Sequence, residues 1–220
     1  MIVETKRPRN TTRLREAGAA ARAETRRLLL AAAAEEFTRV GYVAATVNRI
    51  AEGAGVTVQT LYLAWGSKRA LLRGYLQSTL TPGAMPSGEF YVSQLHPDSP
   101  AATVAQIAKV FCGAAQRSAI AWRAYREGAA VDDAIAEEWQ ELQTLRRGSF
   151  EAMLATIPDN ALQLPREDAV DTLWAIASPA TYELMVCGAG YTLERFEAWL
   201  TATLQNALLY AVAAPPRASC

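Results

Sequence analysis

A chain of 220 residues with 51% hydrophobic and 20% charged residues can bury a sizeable core and is too apolar to remain disordered. Its formal net charge is zero, yet residues 1–80 hold 13 Lys/Arg against 6 Asp/Glu and residues 81–220 hold 9 against 16, so the two parts carry +7 and −7. That asymmetry points to a polyanion partner for the first part alone, or to a basic tail on an acidic domain.

Ala and Leu dominate over β-branched and aromatic runs, which favours an all-α fold. No apolar stretch approaches the roughly 20 residues of a membrane span. Met1–Arg15 is basic and lacks the apolar core of a signal peptide, so a cytoplasmic location with no membrane partner is expected. Cys112, Cys187 and Cys220 are odd in number and far apart, which fits neither a disulfide framework nor a zinc knot. The first two are expected to be small core residues. With His96 the only histidine, neither a metal site nor a histidine relay is easy to assemble, and none is expected. No cofactor and no catalytic residue is expected, and the chain is not read as an enzyme.

In chain order, residues 1–21 lack apolar periodicity and carry Lys6, Arg7, Arg9, Arg13 and Arg15, a pattern that predicts a flexible basic arm. Leu28, Leu29, Ala32, Ala33, Phe37 and Val40 recur at helical spacing and predict a first helix over 23–40, stopped by Gly41. Thr46 is a suitable cap for a short second helix with Val47, Ile50, Ala51 and Ala54 on one face, ending at Gly55. Thr57 caps a third helix containing Leu61, and Ser67 a fourth, running to about Leu80. Residues 81–100 contain Pro82, Gly83, Pro86, Gly88, Pro97 and Pro100 and read as a linker loop. Helices resume over 101–116 and 118–128. Another is expected over 131–156, with Asp132 and Asp133 in its first turn, where the helix dipole favours acids. Helices are then expected over 166–187, broken or kinked at Pro179, and over 193–211, where Leu193, Phe196, Leu200, Leu204 and Leu208 form an apolar stripe. The domains predicted are an arm (1–21), a DNA-binding domain with a connecting helix (22–80), a linker (81–100), a C-terminal dimerisation and effector domain (101–214) and a tail (215–220).

Val47–Leu63 has the anatomy of a helix-turn-helix. Ala51 is small where two helices approach, Gly55 sits in the turn, and Ile50, Val56 and Leu61 are apolar where the helices meet. Packing alone would make the same demands of any tight helical corner. The segments LLLAAAAEEFTRVGYVAAT, TVNRIAEGAGVTVQT and LYLAWGSKRALL are more specific. Together they resemble, over about Thr25–Tyr75, the DNA-binding domain of the TetR (tetracycline repressor) family of bacterial transcription regulators.

A recognition helix offers its first turn to base edges in the major groove, which makes Thr57, Val58, Gln59 and Thr60 candidates. Gln59 can bind adenine bidentately, while Val58 and the Thr methyls can pack on thymine methyl groups. Thr57 also competes for the role of helix cap. Tyr62, expected across the helix from Gln59, matches the family's phosphate-binding tyrosine. Lys68, at the start of the fourth helix, is a candidate phosphate receiver. Thr46, Arg49, Arg22, Arg26 and Arg27 are candidates for further backbone contacts. At Leu63, Ala64 and Trp65 the chain departs from the family, in which an aromatic, a histidine and a phenylalanine are common. Trp65 is expected to fill the phenylalanine's core role.

The resemblance implies an all-α chain with an N-terminal three-helix helix-turn-helix domain and a C-terminal helical bundle. It further implies a homodimer through the last two helices, a palindromic DNA operator as partner, and an effector pocket in the C-terminal domain. Phe111, Trp122, Tyr125, Trp139, Phe150, Met153, Trp174 and Tyr182 are the pocket candidates, suited to a small hydrophobic effector, although a plain core would contain the same residues. The function implied is a homodimeric repressor released from its operator by that effector. The alternative is an activator or architectural DNA-binding protein of the same fold without a ligand. An enzyme reading has only the pairs Asp132/Asp133 and Glu137/Glu138, which suit a solvated helix face. Gly188-Ala189-Gly190 follows a helix and lacks the third glycine of a nucleotide-binding loop.

Overall fold

The structure is a computed structural model that describes residues 9–81, 85–96 and 98–210, with side chains described from residue 13 onward. Expectations for Lys6, Arg7, Pro82, Gly83, Pro97, Cys220 and the 215–220 tail lie outside the described residues. The fold is all-α. Among the described residues the only strand-like pairing is an isolated bridge between Leu162 and Leu209. The chain divides into two compact units, Met1–Leu76 and Gln77–Cys220.

In the first unit, α1 (Arg9–Ala44) is bent at Gly41, whose φ of 75° is accessible to glycine at little cost. The helix begins well before the predicted start, so the flexible arm expected over 1–21 is helical from Arg9. Residues such as Arg13, Leu14, Arg15 and Glu16 are good helix formers, and their side chains are exposed. A solvated helix needs no apolar stripe, which is why periodicity did not signal it. Thr46 caps α2 (Val47–Gly53) by accepting from the Arg49 N–H at 3.3 Å. After a turn in which Gly55 has φ 67°, Thr57 caps α3 (Val58–Trp65) through the Thr60 N–H at 3.1 Å. Ser67 accepts from the Ala70 N–H at 3.0 Å and starts α4 (Lys68–Leu80). Leu29, Phe37, Ile50, Leu61, Leu71, Leu72 and Leu76 form the buried centre of this unit. Each such side chain contributes on the order of 1.5–3 kcal/mol relative to exposure.

In the second unit, the expected linker contains a short helix, α5 (Gly88–Val92), capped by Ser87. The Pro/Gly density that pointed to a loop conceals a packing requirement. A Cβ at Gly88 would lie 2.7 Å from the Ala152 Cβ, so glycine permits close approach to α7 (Asp133–Leu154). The two helices predicted over 101–128 are one, α6 (Pro100–Ala129). Ser118, expected to open the second of them, instead bonds back to the Ala114 carbonyl at 2.7 Å within the same helix. Asp132 caps α7, accepting from the N–H groups of Ala134 and Ile135.

A 3-10 turn at Asp159–Ala161 leads to α8 (Arg166–Ile176), and Ser178 and Pro179 then open α9 (Pro179–Tyr182). The predicted 166–187 helix is therefore broken before Pro179. A π-helical turn, Glu183–Gly188, precedes α10 (Leu193–Leu208), which Thr192 caps. Phe196, Leu200, Leu204 and Leu208 of α10 are fully buried among residues of α6 and α8. Cys112 lies in this core as expected. Cys187 is exposed, because the π-helical turn changes the face on which residue 187 emerges.

Candidate nucleic-acid interface and the helical cavity

The α2–turn–α3 corner is held by backbone bonds from the Val56 N–H to the Ala51 carbonyl (2.9 Å) and from the Gly55 N–H to the Glu52 carbonyl (3.0 Å). Leu61 is fully buried and pins the inner face of α3. On the outer face Gln59, Tyr62 and Leu63 are exposed, Tyr62 by 48% and Leu63 by 81%. Tyr62 and Leu63 follow Gln59 by three and four residues, so all three share one side of the helix. The expectation that Tyr62 lies across the helix from Gln59 is corrected by this spacing. Leu63, noted in the sequence only as a departure, is the most exposed large apolar residue of α3.

The remaining candidates are partly engaged within the protein. Thr57 and Thr60 bond each other through their hydroxyls at 2.9 Å, in addition to the Thr57 cap. Val58 is half-buried. Arg49 lies 3.5 Å from Glu36, a buried carboxylate that also pairs with Arg39 at 2.6 Å. Arg22 is exposed. Arg27 is exposed and paired with Glu24 at 2.6 Å. Arg26 donates to the Ala64 carbonyl, and its guanidinium lies 3.8 Å from the Trp65 ring centroid. It thus binds α1 to the end of α3. Trp65 packs directly over Gly74, where any Cβ would collide with the indole. This is the anchoring role expected of it.

Lys68 has a structural task. Its ammonium donates to the carbonyls of Tyr42 and Ala45, both at 2.7 Å, and lies 4.2 Å from the Tyr42 ring centroid. Two of its three N–H groups are used at the end of α1, and burial pushes its pKa down. The third N–H has no acceptor among the described residues.

A short helix with a buried anchor, a glycine turn, a capped start and an exposed polar face is the form of a major-groove reading head. The family model described as bacterial regulatory proteins, tetR family, matches residues 29–75. Residues 29–75 carry a DNA-binding domain of the TetR type. DNA binding and transcription regulation follow as the protein's class of function.

Solved structures of TetR-type regulators share the fold over most of the chain. A protein of Rhodococcus sp. described as a TetR-family transcriptional regulator is 17% identical, with a TM-score of 0.62, covering 84% of this chain and 99% of that one. NalD of Pseudomonas aeruginosa, the secondary repressor of the MexAB-OprM multidrug efflux pump, is 18% identical, with a TM-score of 0.59 and coverages of 85% and 97%. TylP, a TetR regulator from Streptomyces fradiae, is 22% identical, with a TM-score of 0.56 and coverages of 86% and 88%. Among curated protein sequences none matches the chain.

In the second unit, a narrow apolar slot of about 70 Å³ is lined by Phe111, Trp122, Phe150 and Met153, together with Tyr91 and Leu142. Beside it opens a cleft of about 380 Å³ lined by Trp122, Trp139 and Trp174, with Arg123, Arg126 and Glu183 at its walls. Trp122, Arg146 and Pro179 border both spaces. Six of the eight pocket candidates therefore converge on two adjoining cavities. Tyr125 and Tyr182 line neither: Tyr125 is fully buried, and Tyr182 packs edge-on against Phe196 at 5.4 Å. Attention to aromatic residues missed Arg146, whose position between the cavities no local pattern encodes. Among the described residues no helix is long and apolar enough to cross a membrane, and no cluster of metal-ligating side chains is present.

Proposed function

We propose that this protein is a sequence-specific, homodimeric transcriptional repressor that leaves a palindromic operator when its C-terminal domain binds a small, largely apolar effector. The observation that carries the DNA half of this reading is the α3 face on which Gln59, Tyr62 and Leu63 are exposed while Leu61 is locked beneath them. In this reading Gln59 contacts a base, Thr57, Val58 and Thr60 line the groove, and Thr46, Arg49, Tyr62 and Lys68 meet the phosphate backbone. Residues 22–80 form the reading domain and residues 101–214 the dimerisation and effector domain. Two reading heads about one DNA turn apart, roughly 35 Å, would recognise a palindrome. The repressor assignment is supported by the likeness in fold to NalD, itself named a repressor.

Effector release requires a ligand that prefers one dimer shape over another, since equal affinity for both shifts nothing. The slot and cleft, lined by six of the aromatic and apolar candidates, are where such a ligand would act. Selection of random DNA duplexes with the purified protein tests the first half. A single enriched palindrome is expected, whereas retention of all sequences with only salt-dependent affinity would favour an architectural binder. Reporter expression from the selected site, with and without the protein, separates repressor from activator.

A further inference from the structure

The second unit contains a half-buried cation with no acid beside it. Arg146, in the middle of α7, projects between the apolar slot and the cleft. Its Nη1 donates to the carbonyls of Trp174 and Ala177, both at 2.9 Å, and its Nε and Nη2 donate to Gln143 Oε1 at 3.2 and 3.1 Å. All of these acceptors are neutral. Of the five guanidinium N–H groups, one on Nη2 has no acceptor among the described residues. The guanidinium also lies near the rings of Trp174 and Phe150, at 4.9 and 5.6 Å from their centroids. Desolvation pushes its pKa down to about 10.

A buried charge is normally paired, because removing it from water costs several kcal/mol unless an opposite charge offsets that loss. The carbonyls at the end of α8 and the Gln143 amide supply only partial negative charge. Around the same cleft stand two further cations, each with an acid of its own: Arg123 lies 3.9 Å from Glu127, and Arg126 pairs with Glu183. Glu183 is the one carboxylate in its lining, and Arg126 holds it at 2.6 Å. The space thus combines an apolar slot, an aromatic wall and, at their junction, the one charge of Arg146 that only neutral acceptors meet.

We propose that this site takes an amphipathic organic anion, with its apolar tail in the slot and a carboxylate headgroup at Arg146 in the cleft. The inference rests on reading the second unit as an effector domain and narrows the effector from any hydrophobic molecule to an anionic one. Arg146 gains the charged partner that the chain does not provide, and Trp122 and Trp139, edge-to-face at 5.6 Å, line the cleft beside it. An organic cation would meet the same indoles but also the guanidinium of Arg146, which has no carboxylate partner to offset it, so the electrostatics select against it.

The test uses the full-length protein and three ligand series with tails short enough for the slot: butanoate, pentanoate and hexanoate, the corresponding alcohols, and the corresponding alkyltrimethylammonium ions. Binding is read by calorimetry and by tryptophan fluorescence, since Trp122, Trp139 and Trp174 line the site. A carboxylate should bind about tenfold or more tightly than its alcohol, with the ammonium ion weakest. Gln143→Glu places a carboxylate where the amide now accepts from Arg146. It should lower carboxylate affinity about tenfold, leave alcohol affinity within about twofold, and preserve helical content.

Equal binding of alcohol and carboxylate, absence of carboxylate binding, or indifference to Gln143→Glu would overturn the proposal. Operator affinity measured in the same samples separates it from the effector reading. Carboxylate binding that is sensitive to Gln143→Glu but leaves operator affinity unchanged would refute effector release and leave the anion site standing. Release by the alcohols alone would do the reverse.

Discussion

The ammonium of Lys68 lies 2.7 Å from the carbonyl oxygen of Tyr42 and 4.2 Å from the centroid of that residue's ring. With the second bond to the Ala45 carbonyl, this one side chain ties the start of α4 to the end of α1 across the bend at Gly41. The reading head is thereby held at two corners, here and at Arg26 against Trp65.

Removing that tie should loosen the head before it alters DNA chemistry. Lys68→Met keeps the aliphatic stem and deletes both charge-assisted bonds, at a cost of about 1–3 kcal/mol. Urea denaturation followed by circular dichroism should show the lower midpoint. An unchanged midpoint together with weakened DNA binding would make Lys68 a phosphate ligand first.

Gly74→Ala places a methyl group where the Trp65 indole now sits. The ring must shift and α3 with it, with an expected destabilisation of about 1–3 kcal/mol. A lowered thermal midpoint and a changed Trp65 emission, read in a variant retaining Trp65 as its only tryptophan, would record this. Full stability in the alanine variant would contradict the packing described.

Gln59→Ala and Tyr62→Phe should separate base reading from backbone contact. The first should cost about 1–3 kcal/mol on the selected operator and relax preference at one base pair. The second should weaken binding uniformly across sequences. Because both side chains are exposed, neither change should move the thermal midpoint appreciably. Titrations against the operator and single-base variants provide the comparison.

Burial raises the Cys112 thiol to about 12 from an ordinary value of 9.0. Between those values the unfolded chain loses this proton while the folded chain keeps it, so stability falls as pH rises through that window. At pH 8 the thiol should resist iodoacetamide in the folded protein, while exposed Cys187 reacts. Peptide mapping by mass spectrometry distinguishes the two, and rapid alkylation of Cys112 in the native state would rule out the packing described.

Much of the reading head was legible in the sequence because its determinants are local. Thr46, Thr57 and Ser67 cap through bonds that span three residues, and Gly41 and Gly55 adopt positive φ where a turn demands it. Such signals depend on neighbours in the chain, and so they survive without knowledge of the fold. The acidic start of the 133–154 helix and the break at Pro179 were readable for the same reason, although Asp132, read as a first-turn acid, is the cap itself.

What only the tertiary structure decided are relations between distant residues. The α1 extension, the uninterrupted α6 and the α5 turn depend on whether a face is solvated, whether Ser118 bonds back or caps, and how closely Gly88 meets Ala152. Lys68 and Arg146 are both basic in sequence. One became a brace because the carbonyls of Tyr42 and Ala45 lie against it, and the other stands between two cavities because α8 ends beside it. Charge and capping are properties of the residue and its chain neighbours, whereas burial and pairing arise only when the chain folds back on itself.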